Sequence, residues 1–264
     1  MSLYLDRIGV AYGRRPVLTG LTAAALHPGM LVGLLGANGA GKSTLLRALA
    51  GLLPAHGRAI LDGTDLFTAS GAHRLRQVGY LPQTLPQASP LLAYESVLAA
   101  LRATRPDLRD ATAQAAIQGI FDRLGIAELA LRRMGQLSGG QRQMVGLAQV
   151  LVRQPRLLLL DEPTSALDLR WQLAVLENVA GQVHRDGAIA LIAIHDINLA
   201  ARFCHRLLVL GQGAVLAQGP PAQALTPDLL NHAYGIDGRV EACSQGFPLV
   251  LADRAATISA DRRL

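Results

Sequence analysis

Residues 31–43 read Leu31-Val32-Gly33-Leu34-Leu35-Gly36-Ala37-Asn38-Gly39-Ala40-Gly41-Lys42-Ser43: an apolar run, a glycine-rich loop, then a lysine–serine pair. Leu31–Leu35 has the uninterrupted apolar pattern of a strand buried on both faces. Past Thr44, the residues Leu45, Ala48, Leu49 and Leu52 recur at i, i+3, i+4 and i+7, the period of an amphipathic helix. The loop between them, Gly36 to Ser43, satisfies G-x-x-x-x-G-K-[ST] in the strand–loop–helix context that makes the motif a phosphate cradle. Glycines let the backbone curl so that its N–H groups face an anion, and the helix N-terminus adds partial positive charge. In that setting Lys42 reaches the β- and γ-phosphates of a nucleoside triphosphate, and the Ser43 hydroxyl binds Mg²⁺. Lys42 is the only lysine in the chain. Its position therefore calls for a compact ammonium rather than a planar guanidinium.

On the N-terminal side, Leu3–Tyr12 and Val17–Leu26 read as strands separated by Gly13-Arg14-Arg15-Pro16, and His27-Pro28-Gly29 as a turn. After the helix, Arg58–Leu61 runs as a strand into Asp62-Gly63. From Gln83 the character changes. Thr84–Pro90 is a proline-bearing loop, and Tyr94–Ala103, Leu108–Leu124 and Gly139–Val152 read as helices. Ile117, Ile120, Phe121 and Leu124 form one stripe, with Gly125 as C-terminal cap. Residues 84–153 are expected to be a helical insertion. Leu157–Leu160 and Ala188–Ile194 are further buried strands; Leu169, Leu173, Leu176, Val179 and Val183 mark a helix between them. Another helix starts at Ile197. Leu207–Leu210 and Ala214–Ala217 form a hairpin about Gly211-Gln212-Gly213. Beyond Tyr234 the pattern is weak. The alternation predicts an α/β fold with a mostly parallel core sheet covered on both faces, and a ligand at the carboxyl ends of its strands.

The chain has 264 residues, 50% hydrophobic and 17% charged, which excludes a disordered polypeptide. No apolar run reaches the ~18 residues of a membrane-spanning helix. Met1–Arg7 lacks the layout of a signal peptide. Cys204 and Cys243 form no metal-ligand pattern, so a reduced cytoplasmic protein is expected. The net charge of +6 is compatible with nucleic acid, anionic membrane or phosphate ligands, and equally with an arginine-biased composition.

Two more stretches carry chemistry. Leu157–Leu160 runs into Asp161-Glu162, so a strand beside the phosphate loop would deliver two carboxylates to the site. Adjacent carboxylates raise each other's pKa unless a cation lies between them. Asp161 is suited to hold Mg²⁺ and Glu162 to face the attacking water. In Leu137-Ser138-Gly139-Gly140-Gln141, Ser138 is a natural N-cap. Two glycines at a helix start offer backbone N–H groups to a second anion.

Together these motifs resemble the ATPase subunits of ATP-binding cassette (ABC) transporters. Leu137–Gln141 matches the family's signature pentapeptide without change, and Leu157–Asp168, LLLLDEPTSALD, matches its Walker B and D-loop. The resemblance runs from about Leu3 to Tyr234 and implies residues 1–235 as the ATPase domain and 236–264 as an extension. It implies a P-loop NTPase fold with N-terminal antiparallel strands and an inserted helical subdomain. ATP and Mg²⁺ are the implied cofactors. The loop Gly36, Ala37, Asn38, Gly39, Ala40, Gly41, Lys42, Ser43 and Thr44 would hold the phosphates. By the same resemblance, Gln83 in Tyr80-Leu81-Pro82-Gln83 touches metal and water, and His195 contacts the γ-phosphate. Asp168 lies at the subunit boundary, and Tyr12 stacks under adenine. Asp196 is then an N-cap. The family further implies a homodimer in which Ser138, Gly139, Gly140 and Gln141 of one copy close over the nucleotide of the other.

His195–Arg202, Leu216–Pro220 and Ala224-Leu225-Thr226 resemble the importer branch for iron–siderophores, haem and vitamin B12. That implies permease subunits, a periplasmic solute-binding protein acting indirectly, and a peripheral place on the cytoplasmic face of the inner membrane. The chain departs from the branch after Gln83: where a Thr-Val pair and a Gly-Arg turn are usual, Leu91–Leu98 runs straight into a helix. Transport of another solute (a metal ion, phosphonate or amino acid) stays open, as does an ABC ATPase acting on nucleic acid. Against the latter, the chain has neither a second cassette nor a long coiled coil, so nucleic acid is not expected as a partner.

Overall fold

A computed structural model describes residues 2–85, 90–165 and 167–256. Of the expected loop Thr84–Pro90, residues 86–89 lie outside that description, as do 257–264 of the extension and Ala166 of the D-loop stretch.

The chain opens with β1 (Leu3–Tyr12) and β2 (Arg15–Leu26), paired antiparallel, then β3 (Leu31–Leu35) and α1 (Lys42–Leu49). There follow β4 (His56–Leu61), β5 (Thr64–Asp65), α2 (Gly71–Gln77) and β6 (Val78–Leu81). Next come α3 (Ala93–Thr104), α4 (Asp110–Leu124), α5 (Gly139–Leu151), β7 (Leu157–Asp161), α6 (Leu169–Asp186) and β8 (Ile189–Ala193). The last part is α7 (Ile197–Phe203), β9 (Arg206–Gly211), β10 (Ala214–Gly219), α8 (Pro221–Ala224), α9 (Pro227–Tyr234), β11 (Ile236–Ala242) and β12 (Pro248–Ala255).

The core sheet runs β10-β9-β3-β8-β7-β6, parallel except at β10. Every residue of β3, β7 and β8 is buried, which is why these strands read as unbroken aliphatic runs rather than alternating ones. A second sheet, β2-β1-β4-β5, is antiparallel. One apolar cluster joins the core sheet to α1 and this second sheet; the other joins it to the helices of the insertion, α6 and α7. Gly33 in β3 shows how tight that packing is. A Cβ there would lie 2.9 Å from Leu207 Cδ2 and 3.0 Å from Cys204 Sγ.

Several expectations needed revision. The helix after the phosphate loop ends at Leu49, and Leu52 is 60% exposed, so its place in the i+7 series was fortuitous. Leu169 opens α6 but is exposed, so the buried stripe of that helix starts further along, with Val175, Leu176, Val179 and Val183. Strand β2 begins at Arg15, inside the expected turn. Several elements gave no recognised signal: β5, α2, β6, α8 and α9 are short, and α2 buries no residue, so its periodicity had no face to define. The weakly patterned residues after Tyr234 form a hairpin, β11–β12. Both strands are mostly half-buried or exposed, which blurs the alternation a strand normally displays.

Candidate nucleotide site

Strand register brings the chemistry together. β3 and β7 both pair with β8, with Leu34 and Asp161 each opposite Ala193. The next residues along these strands are Leu35-Gly36, Glu162 and Ile194-His195. On the other side of β7, Leu81 of β6 pairs with Leu160, which carries Gln83 to the same end. Four strand ends thus deliver the phosphate loop, two carboxylates, a histidine and a glutamine to one place.

Gly36, Gly39 and Gly41 have φ of 136°, 81° and 102°, a region that L side chains rarely enter. A Cβ on Gly36 would sit 2.3 Å from the Leu210 carbonyl oxygen. The loop's curl therefore requires glycine at this position. The cleft over it holds about 290 Å³ and is lined by Arg15, Val17, Asn38, Gly39, Gly41, Lys42, Ser43, Thr44 and Glu162. Ala37 and Ala40 belong to the same loop, Ala37 exposed and Ala40 buried. Lys42 Nζ is folded back and donates to the carbonyls of Gly36 (2.6 Å) and Ala37 (3.1 Å). Burial pulls the Lys42 pKa down, while the nearby Glu162 and Asp161 carboxylates pull it up.

The Ser43 hydroxyl donates to Asp161 Oδ1 at 2.8 Å. Burial pushes the Asp161 carboxyl above the usual range; the Ser43 hydrogen bond and the Arg47 charge oppose it. This hydroxyl–carboxylate pair is a hard-oxygen donor set of the kind Mg²⁺ takes. Glu162 is held on both sides. Its Oε2 accepts from Gln83 Nε2 at 2.7 Å, and its Oε1 lies 2.6 Å from His195 Nε2. Its backbone is left-handed, φ 51°, and its N–H donates to Ala193 O at 3.1 Å. Strain of this kind persists only where surrounding bonds fix it. Here it turns the carboxylate out of the strand and toward the cleft.

Tyr12 lies beside the loop, its hydroxyl 3.5 Å from Thr44 Oγ1 and its ring 45% exposed. Two residues without a sequence-based role join the site. Tyr80 donates to Asp161 Oδ2 at 3.4 Å and hydrogen-bonds Arg47. Since Tyr80 pairs with Leu159, Asp161 is two residues along the neighbouring strand on the same face. The signal for Tyr80 was therefore the register, not the local pattern. Arg15, expected in a turn, lines the cleft at the start of β2.

The remaining expected residues are not gathered here within one chain. None of Leu137–Gln141 lines the cleft. Ser138 caps α5 in a capping box: it accepts from Gln141 N–H at 3.2 Å, and Gln141 Oε1 accepts from Ser138 N–H at 3.0 Å. Ser138 and Gly139 are exposed, Gly140 and Gln141 half-buried. Asp168 is exposed and caps α6, accepting from Trp171 N–H at 3.0 Å. Asp196 caps α7 as expected, accepting from the N–H groups of Asn198 and Leu199. Asp168→Ala is expected to lower stability by about 1 kcal/mol through loss of the cap, seen as a melting point about 2–4 °C lower. A fall in ATPase activity beyond that small loss, in the same preparation, would mark a second role at a subunit boundary.

Comparison with known proteins agrees with this geometry. A model of the ABC transporter family matches residues 22–165. The hemin import ATP-binding protein HmuV of Bordetella pertussis is 42% identical over 251 residues, 92% of this chain and 95% of that protein. The cobalamin import ATP-binding protein BtuD of Halobacterium salinarum is 38% identical over 218 residues, 82% of this chain and 54% of that one. Among solved structures, an ATP-binding subunit of an ABC transporter superposes with a TM-score of 0.76 at 26% identity, over 88% of this chain and 93% of that one.

Proposed function

Because this chain belongs to the ATP-binding subunits of the ABC transporter family, we propose that it powers an importer of haem or a closely related iron chelate. ATP hydrolysis rests on one observation: the Glu162 carboxylate, clamped between Gln83 and His195, faces the cleft over the phosphate loop. The choice of solute rests on the hemin-import relatives, which match along nearly their whole length. Residues 1–235 are the ATPase domain, with a helical subdomain over 84–153 and an extension over 236–264.

Lys42 leaves the Gly36 and Ala37 carbonyls and turns to the β- and γ-phosphates. Gly36–Thr44 cradle the phosphates with backbone N–H groups, and Tyr12 covers the adenine. Ser43 and Asp161, with Gln83 nearby, would hold Mg²⁺, which would neutralise phosphate charge. Glu162 orients the attacking water and accepts its proton, and His195 Nε2 donates to the γ-phosphate. Most of the catalysis is positioning and charge neutralisation. Ser138–Gln141 of a second copy, with Asp168 near the seam, complete each site, so the working unit is a homodimer. ATP favours the closed dimer and ADP the open one, a population shift by differential affinity. No described helix is long and apolar enough to cross a membrane. From a peripheral place on the cytoplasmic face of the inner membrane, the chain passes the mechanical work to separate membrane-spanning permease subunits, with a periplasmic binding protein delivering solute. Nucleic acid has no part in this cycle.

The solute is tested by reconstituting the chain with its permease in liposomes and adding binding protein loaded with haem, a ferric siderophore or cobalamin. Haem is expected to stimulate ATP turnover several-fold over the other two. Stimulation by cobalamin alone would reassign the solute, and absence of ATPase activity in every arm would remove the transport function.

A further inference from the structure

The N–H of Gly36, the first glycine of the phosphate loop, donates to the hydroxyl of Tyr234 at 3.0 Å. Tyr234 is the last residue of α9 and lies 198 positions away in sequence. The helix that carries it is well anchored. Leu229, Leu230 and Ala233 are buried in the main core, and Gly235 (φ 67°) turns the chain directly into β11. Asn231 donates to Asp237, which also accepts from Arg254, tying α9 to the hairpin. The hairpin is in turn pinned to α7: Asn198 donates to the Val250 carbonyl at 3.2 Å and accepts from the Val250 N–H at 2.7 Å. Asn198 is three residues past His195. The C-terminal unit therefore holds the beginning of the phosphate loop at one point and the helix behind the histidine at another.

We propose that Tyr234 is a positioning residue for nucleotide binding, holding Gly36 in place from a C-terminal brace made of α9 and the β11–β12 hairpin. The proposal rests on the assignment of the loop to ATP. Gly36 is fixed on three sides: by Tyr234 at its N–H, by Lys42 at its carbonyl, and by the Leu210 carbonyl against its Cα. When Lys42 turns to a phosphate, the second of these is released, and the Tyr234 bond keeps the loop's entry from shifting. A loop fixed in advance loses less conformational freedom when its ligand arrives. Burial pushes the Tyr234 hydroxyl up to about 12, so it remains neutral across the physiological range and the bond does not titrate there.

The test is Tyr234→Phe in the full-length chain, which removes one oxygen and leaves the ring. The Kd for ATP with Mg²⁺, measured by calorimetric titration, is expected to rise about 3–10-fold, the effect of one neutral hydrogen bond. KM should rise with it and kcat stay within about twofold, the signature of lost uniform binding. Hydrogen exchange at the Gly36 amide should accelerate by a comparable factor. An unchanged Kd, or a lower kcat at unchanged Kd, would overturn the proposal. If the wild-type chain itself binds no ATP, the nucleotide assignment fails, while Gly36 exchange still decides whether Tyr234 fixes the loop. Asn198→Ala supplies the second variant: it frees β12 from α7 but keeps the tyrosine hydroxyl. Faster Gly36 exchange in that variant supports the brace; wild-type exchange removes the hairpin from it.

Discussion

Glu162→Gln is expected to lower ATP turnover by about 10²–10³-fold while ATP binding survives. The substitution preserves shape. Gln83 donates one hydrogen bond to the native carboxylate, and His195 Nε2 lies 2.6 Å from its other oxygen; the variant amide offers one oxygen and one NH₂ group. One partner can meet the oxygen, and the Gln83 amide can rotate to present its own oxygen to the NH₂ group. The local fold, the left-handed turn at Glu162 and the Ser43–Asp161 pair therefore persist. What disappears is the group able to take a proton from water. Nucleotide should still close the dimer, and without hydrolysis the closed form should accumulate. Two measurements check this: single-turnover hydrolysis, and size exclusion in the presence and absence of ATP. Hydrolysis at the wild-type rate would move the proton acceptor to another residue, and the clamp by Gln83 and His195 would need a different explanation.

Lys42→Ala is expected to abolish turnover and to weaken ATP binding by about 10²-fold or more, since charge-assisted hydrogen bonds to phosphate are the strong ones. The structure gives a physical reason for lysine rather than arginine at this position. The ammonium is buried, with two backbone carbonyls as partners at 2.6 and 3.1 Å, in a space bounded by the curl of the loop. A guanidinium is planar and wider, and its five donors would not all find acceptors there. The same variant tests the shared site. A Lys42→Ala copy keeps an intact signature helix, and a Ser138→Arg copy keeps an intact phosphate loop. Mixed as heterodimers, they contain one site built from both intact halves. Each variant alone should be inactive, and the mixture should regain a fraction of wild-type activity, about a quarter for random pairing of a symmetric dimer. A mixture as inactive as its components would break the two-copy mechanism.

Much of the site was legible because its residues are local in sequence. The phosphate loop and Asp161-Glu162 each fall within a short run whose residue types the chemistry requires. The buried strands were equally legible, since a parallel strand covered on both faces has a continuous aliphatic run. Gln83 and His195 came only from the resemblance. A single glutamine after a proline, or a histidine after a strand, carries no chemistry until its neighbours are known. Tyr80, Arg15 and Tyr234 were passed over for the same reason: only the fold brings Tyr80 to Asp161, Tyr234 to Gly36 and Arg15 to the cleft.

By itself the sequence determined the buried strands of the core and most of the long helices, the curl of the loop around Lys42, and the presence of the two carboxylates. Those features follow from side-chain periodicity and from the backbone freedom of glycine, both of which act over a few residues. Only the tertiary structure decided which strand ends stand side by side, that Glu162 is clamped between Gln83 and His195, and that the last helix reaches back to Gly36. Those depend on strand register and on packing between segments far apart in the chain, up to 198 residues for Gly36 and Tyr234, where a shift of one position would turn each side chain to the opposite face.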